Sequence, residues 1–146
     1  IKNLLNRQAL IRNIDLTLEI SRDLPLVMID SVELEQVILN LINNSFDVLS
    51  KGGKVELIAR AVGKEVLIEV KDNGRGILSE NLEHIFEPFF TTKPVGQGTG
   101  LGLSVCYGLV KSWGGRLEVE SGPHTGTTMR IHLPAMDKKT EVTKEV

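Results

Sequence analysis

Three alternate glycines in Gly98-Thr99-Gly100-Leu101-Gly102-Leu103 run directly into the apolar stretch Ser104-Val105-Cys106-Tyr107-Gly108-Leu109-Val110. Glycine lets backbone N–H groups approach an anion closely, and a helix starting there adds its unpaired N–H groups and the positive end of its dipole. The chemistry this suits is phosphate binding. The spacing excludes two common phosphate loops, because no Lys-Ser/Thr closes the run as in a Walker A loop and no GxGxxG follows a strand. Alone, such a cluster serves a tight packing turn as readily as a ligand loop.

A second set of chemically capable residues lies on a helix. Asp30 with Glu33 has the form of a capping box, and Leu34, Val37, Ile38, Leu41, Ile42, Phe46 and Leu49 recur at helical spacing until Lys51-Gly52-Gly53, which predicts a helix over 31–50. At about 100° per residue, Glu33, Gln36, Asn40, Asn44 and Asp47 share the face opposite the apolar stripe. A solvated face is the plain reading. Yet asparagine costs roughly 0.5 kcal/mol or more against alanine at each helical position, so Asn40, Asn43 and Asn44 give up on the order of 1.5–2 kcal/mol where Lys or Glu would cost less. An amide oxygen is a neutral, hard ligand suited to a Mg²⁺ that already carries phosphate oxygens and water, which makes Asn44 the metal candidate.

Asp72-Asn73-Gly74-Arg75-Gly76 follows a β-rich run. Asn-Gly is a common hairpin turn, and Asp starts turns well. The functional alternative is a carboxylate at a strand end that only accepts hydrogen bonds, matched to the exocyclic amino group of adenine. Phe86, Phe89 and Phe90 surround Pro88 and precede the polar segment Thr91-Thr92-Lys93-Pro94-Val95-Gly96-Gln97. These residues form either a small core under a loop or an anchored lid.

The elements that must position these groups are legible in outline. Ile1, Leu4, Leu5, Ala9 and Ile11 suggest a short leading helix over 1–12, and alternation from Ile14 to Ile20 a half-buried strand. Residues 54–60 and 65–71 read as a hairpin, Gly114-Gly115 ends a second main helix, and 116–121 with 127–133 form another strand pair across 122–126. Helices and hairpins alternate without a regular βαβ rhythm, which predicts an α/β two-layer sandwich with helices on one face of a mixed sheet. The 146 residues, 41% hydrophobic, suit one domain, and the single cysteine, Cys106, sits in an apolar run as a core thiol. A net charge of −2 without a basic block excludes a nucleic-acid footprint. No apolar stretch is long enough to span a bilayer, and the charged tail 137–146 is expected to be disordered.

In order along the chain, Gln36–Ser45, Asp72–Ile77, Phe86–Lys93, Gly98–Leu103 and Gly126-Thr127 resemble the N, G1, F and G2 boxes and final glycine-threonine of the catalytic ATP-binding domain of sensor histidine kinases. The resemblance covers about 13–134, within a domain expected over 13–136, and implies the GHKL ATPase sandwich, with ATP and Mg²⁺ as cofactors. It implies Asn44 as the Mg²⁺ ligand, Asp72 as the adenine-specifying carboxylate, and Gly74 and Gly76 beside the base. Gly98, Gly100 and Gly102 fall in the phosphate loop, Thr127 near adenine, and Asp47, Ile77, Thr92, Thr99, Leu101 and Leu103 at further nucleotide contacts. Lys93 matches a lid cation near the γ-phosphate. At Asn40 hydrolytic relatives carry a water-activating glutamate, and an amide cannot be a general base, so ATP is expected to be held for transfer. The form Phe86-Glu87-Pro88-Phe89-Phe90-Thr91-Thr92-Lys93 is similar to the nitrogen-regulatory and oxygen-sensing subgroup.

The family's acceptor histidine lies on a separate dimerisation domain, and His84, His124 and His132 do not match it. The implied partners are therefore that domain and, indirectly, a response regulator receiver domain. The implied setting is cytoplasmic, the isolated domain monomeric, its parent homodimeric. The competing readings are an anti-sigma-type serine kinase and a degenerate nucleotide-sensing module.

Overall fold

The computed structural model describes residues 1–49 and 52–137. Strands β1 (Asp15–Ile20) and β2 (Lys54–Val62) are parallel neighbours connected through helix α2 (Ser31–Val48). β3 (Glu65–Asp72) returns antiparallel to β2; β4 (Arg116–Gly122) and β5 (Gly126–Pro134) form a second hairpin. β5 inserts between β3 and β4, so the sheet order is β1-β2-β3-β5-β4. Helix α1 (Lys2–Ile11) leads the chain, and the short α3 (Ser79–Leu82) and α4 (Gly102–Ser112) lie between β3 and β4.

Local chemistry sets the helix limits. The Asp30 carboxylate accepts from the N–H groups of Val32 at 2.8 Å and Glu33 at 3.1 Å, capping α2. The reciprocal half of the expected capping box is not made. Glu33 instead accepts from Trp113 Nε1 at 3.0 Å, tying the start of α2 to the end of α4. α2 stops at Val48, before the expected residue 50, because Leu49 is already extended (φ −92°, ψ 139°). α4 closes with Gly114 N–H on Lys111 O and Gly115 N–H on Val110 O, the paired bonds of a Schellman end.

The core lies between the helices and one sheet face. Val37, Leu41, Ile42 and Phe46 of α2, with Cys106 and Val110 of α4, pack on Val55, Val66, Ile68, Val70, Leu117, Met129, Ile131 and Leu133. The sandwich expected from the sequence is therefore present, with Cys106 in its core; burial pushes that thiol up to about 11, so it stays protonated at neutral pH. The opposite sheet face is a ladder of charges. Glu69 takes Arg60 and Arg130, Arg130 reaches Glu120, and Arg116 joins Glu65 to Glu118.

The leading helix is less apolar in effect than its spacing suggests. Leu5 and Ala9 are buried, while Ile1, Leu4 and Ile11 are exposed. The end of β1 is open too, with Ile20 at 54% exposure. The disorder expected of the tail concerns residues that, apart from exposed Asp137, lie outside those described.

Candidate functional site

One cavity of about 280 Å³ opens between α2, the start of α4, the adjoining ends of β3 and β5, and the loop 90–100. α2 contributes Asn40 and Asn44, the strand ends Asp72 and Thr127, and the turn after β3 Gly76 and Ile77. The loop and α4 add Thr92, Lys93, Gly98, Thr99, Gly100, Gly102 and Leu103. Thirteen of the residues that the resemblance assigns to the nucleotide site thus share one space. Asp47, Gly74 and Leu101 do not line it, and neither does Asn43.

At one end the sheet register creates a polar row. Asp72 on β3 is paired with Thr127 on β5, which is paired in turn with Ser121 on β4. Asp72 is 6% exposed and has no cationic partner among the described residues. Its Oδ2 accepts from Ser45 Oγ–H and its Oδ1 from Gly74 N–H, both at 2.9 Å. A buried carboxylate held by two neutral donors is short of hydrogen bonds, and a cavity beside it is where a further N–H donor would be favoured. The Asn73-Gly74 dipeptide does not make the hairpin its composition allows; the chain leaves the sheet there, and Gly74 serves as a donor to the carboxylate.

Gly76 lines the cavity and is also required by packing. It has φ 73°, and a Cβ on it would run into the Gly122 carbonyl oxygen. The same demand holds at Gly100 in the glycine triplet, at φ 69°, where a Cβ would strike the Phe89 backbone. Phe89 N–H donates to Gly100 O at 2.8 Å, so the loop is clamped to the aromatic segment. At Gly102, by contrast, a Cβ would meet nothing within 4 Å, and no side chain caps the start of α4. Open backbone at the positive end of a helix remains the feature suited to an anion.

Lys93 reaches over the cavity to α2, where its Nζ pairs with Asp47 Oδ2 at 2.7 Å. Asp47 Oδ1 also takes Arg12, at the end of α1, at 3.3 Å. The Asp47 carboxylate therefore serves as the counter-ion of the loop's lysine beside the cavity and ties the loop to α2 at that point. Half-exposed ion pairs of this kind contribute little and exchange readily for a stronger anion.

The model of the family described as "Histidine kinase-, DNA gyrase B-, and HSP90-like ATPase" matches residues 29–137. The chain belongs to this ATPase family. Among curated relatives, the sensor kinase CckA of Brucella abortus (strain 2308) is 41% identical over 140 residues, covering 86% of this chain and 15% of the relative. This ATPase-family chain thus spans a small part of that longer protein. The catalytic domain of histidine kinase ThkA has TM-score 0.81 at 29% identity, covering 92% of this chain and 89% of that one. Full-length ShkA in complex with AMPPNP gives TM-score 0.81 at 29% identity, over 92% of this chain and 28% of ShkA. No helix of the ATPase domain is long and apolar enough to cross a membrane among the described residues.

Several lining residues carried no clear sequence signal. Leu41, Val48, Ile85 and Met129 form the apolar wall together with Phe90 of the aromatic cluster, and the first four are marked by their sequence only as core. Ser45 had a signal that was passed over: a serine on the buried side of a helix where alanine is the better helix former. No group of three or more His, Cys, Asp or Glu able to hold a metal occurs among the described residues. On the α2 side the cavity offers the amide oxygens of Asn40 and Asn44, and elsewhere in its lining one carboxylate, Asp72, and threonine hydroxyls. That set fits a Mg²⁺ arriving with phosphate oxygens and waters, and does not fit a resident metal held by protein alone.

Proposed function

We propose that this chain is the ATP-binding catalytic domain of a sensor histidine kinase, holding Mg-ATP for transfer of its γ-phosphoryl group to a histidine of a separate dimerisation domain. The observation that carries this reading is the convergence on one cavity of an amide pair, a buried carboxylate without a cation, and a helix start with uncapped N–H groups. Asp72 and Thr127 take the adenine, Gly98 to Leu103 and the α4 N-terminus take the phosphates, and Asn44 supplies an oxygen to Mg²⁺. The metal neutralises phosphate charge when bound.

In the transfer, the bond from the γ-phosphorus to the β,γ-bridging oxygen breaks and a bond to an imidazole nitrogen forms, with ADP leaving. This chain's part is positioning and electrostatics. Lys93 leaves Asp47 for the γ-phosphate as the loop refolds around the nucleotide. Asn40, being an amide, activates no water. The related ThkA has been solved in complex with the response regulator TrrA, which supports a response regulator as the downstream partner. The Phe86–Lys93 form supports the nitrogen-regulatory and oxygen-sensing subgroup.

Calorimetric titration tests the nucleotide assignment. ATP should bind in the presence of Mg²⁺, and GTP at least about tenfold more weakly, since guanine sets a carbonyl oxygen against a carboxylate. Equal affinities would remove Asp72 from base recognition. Hydrogen exchange should also show residues 86–99 gaining protection on ATP binding, because Lys93 and the glycine backbone exchange exposed contacts for phosphate. Unaltered exchange in that segment would exclude loop refolding.

A further inference from the structure

Ser45 and Asp72 are the buried polar residues among those described, and they are bonded to each other. A serine inside a helix commonly returns its proton to the carbonyl one turn back. Ser45 sends its proton out of α2 to the end of β3, spending it on Asp72 Oδ2 while Gly74 N–H holds Oδ1. With both oxygens anchored, the carboxylate has one orientation. Its unused lone pairs are left for the cavity.

Across the sheet, Ser121 plays the corresponding part for Thr127. A hydroxyl has one proton to donate and two lone pairs to accept with. Ser121 Oγ accepts from Ile77 N–H at 2.8 Å, and the Gly126 carbonyl at 3.0 Å can only accept, so it receives the Ser121 proton. The remaining contact, Ser121 Oγ to Thr127 Oγ1 at 2.8 Å, is then satisfied by the Thr127 proton. Thr127 consequently has only lone pairs to offer the cavity that it lines. Both groups of the row face the cavity as acceptors, which matches the two N–H groups of an exocyclic amine and repels a carbonyl.

We propose that Ser45 and Ser121 are positioning residues that fix the hydrogen-bond polarity of the base end, so that selectivity for 6-amino over 6-oxo purines resides in these two hydroxyls together with Asp72 and Thr127. The inference rests on the nucleotide-binding reading above and deepens it.

The test measures binding of three triphosphates: ATP, inosine triphosphate with its 6-oxo group, and purine riboside triphosphate with hydrogen at that position. The wild-type chain should rank them in the order ATP, purine riboside triphosphate, inosine triphosphate. Ser45→Ala should reduce the advantage of ATP over purine riboside triphosphate about tenfold, the scale of one hydrogen bond to a charged group. Ser121→Ala frees the Thr127 proton to donate, and should narrow the gap between ATP and inosine triphosphate by about tenfold. A purely structural loss lowers all three affinities alike and leaves the ratios in place. Circular dichroism checks folding. Should Ser45→Ala not fold, Ser121→Ala decides, with Ser45→Thr expected to retain wild-type ratios because it keeps the hydroxyl. Ratios unaltered in folded variants overturn the inference alone; absence of ATP binding by the wild-type chain overturns the proposed function and the inference with it.

Discussion

Replacing Asn44 by alanine is expected to abolish useful Mg-ATP binding while leaving the fold intact or slightly more stable. The two effects have opposite signs because the residue serves the cavity at the expense of its helix. Asn44 lies in α2 and lines the cavity, outside the buried stripe of Val37, Leu41, Ile42 and Phe46. In a helix, alanine is favoured over asparagine by roughly 0.5 kcal/mol, which for a domain of this size raises the melting midpoint by about 1–3 °C. Loss of a hard oxygen ligand to the nucleotide's metal should lower affinity on the order of 100-fold, since even residues that only orient a metal ligand contribute 10–100-fold. Calorimetry with Mg²⁺ and with chelator, alongside a thermal melt, separates these terms. Undiminished Mg-dependent affinity in the variant would place the metal elsewhere.

The same residue shows what a sequence can reveal. Asparagine at three helical positions is a local cost, visible without a structure, and it pointed to the cavity at Asn40 and Asn44. The two main helices and both hairpins were legible for the same local reason: period, caps and stops are written in adjacent residues. What the sequence concealed is non-local. Nothing near β5 says that it inserts between β3 and β4, yet that insertion sets Thr127 beside Asp72 and Ser121. The Lys93–Asp47 pair spans 46 positions and depends on how the loop falls across α2. Gly76 and Gly100 line the cavity and also carry a packing demand that no local pattern shows, set by the Gly122 carbonyl and the Phe89 backbone. Glu33 looked like half of a capping box and proved to be the acceptor for Trp113, because an indole N–H in the packed layer needs a partner more than an exposed helix start does.

The chain alone, given labelled ATP and Mg²⁺, should bind it and neither label itself nor release phosphate quickly. Transfer requires a nucleophile about 3–3.5 Å from the γ-phosphorus and in line with the bond that breaks. None of the three histidines lines the cavity. His132 is held on the charged sheet face by Glu118 and Arg116. His124 sits in the β4–β5 turn with φ 63°. His84 comes nearest, its ring 5.9 Å from that of Phe90, but its Nδ1 is bonded to Glu87 at 2.9 Å. That pairing raises the His84 pKa, chiefly through the hydrogen bond to Glu87, and ties the ring to an exposed carboxylate outside the cavity. Water is no better served, because Asn40 offers an amide where a base would be needed. Supplying a dimerisation domain that carries the acceptor histidine should produce acid-labile, base-stable label. In trans the yield should be low, because the effective concentration of about millimolar that a short linker provides is missing. Stable labelling of the chain alone would identify an acceptor among its own residues, and rapid phosphate release would move it to the hydrolytic members of its family.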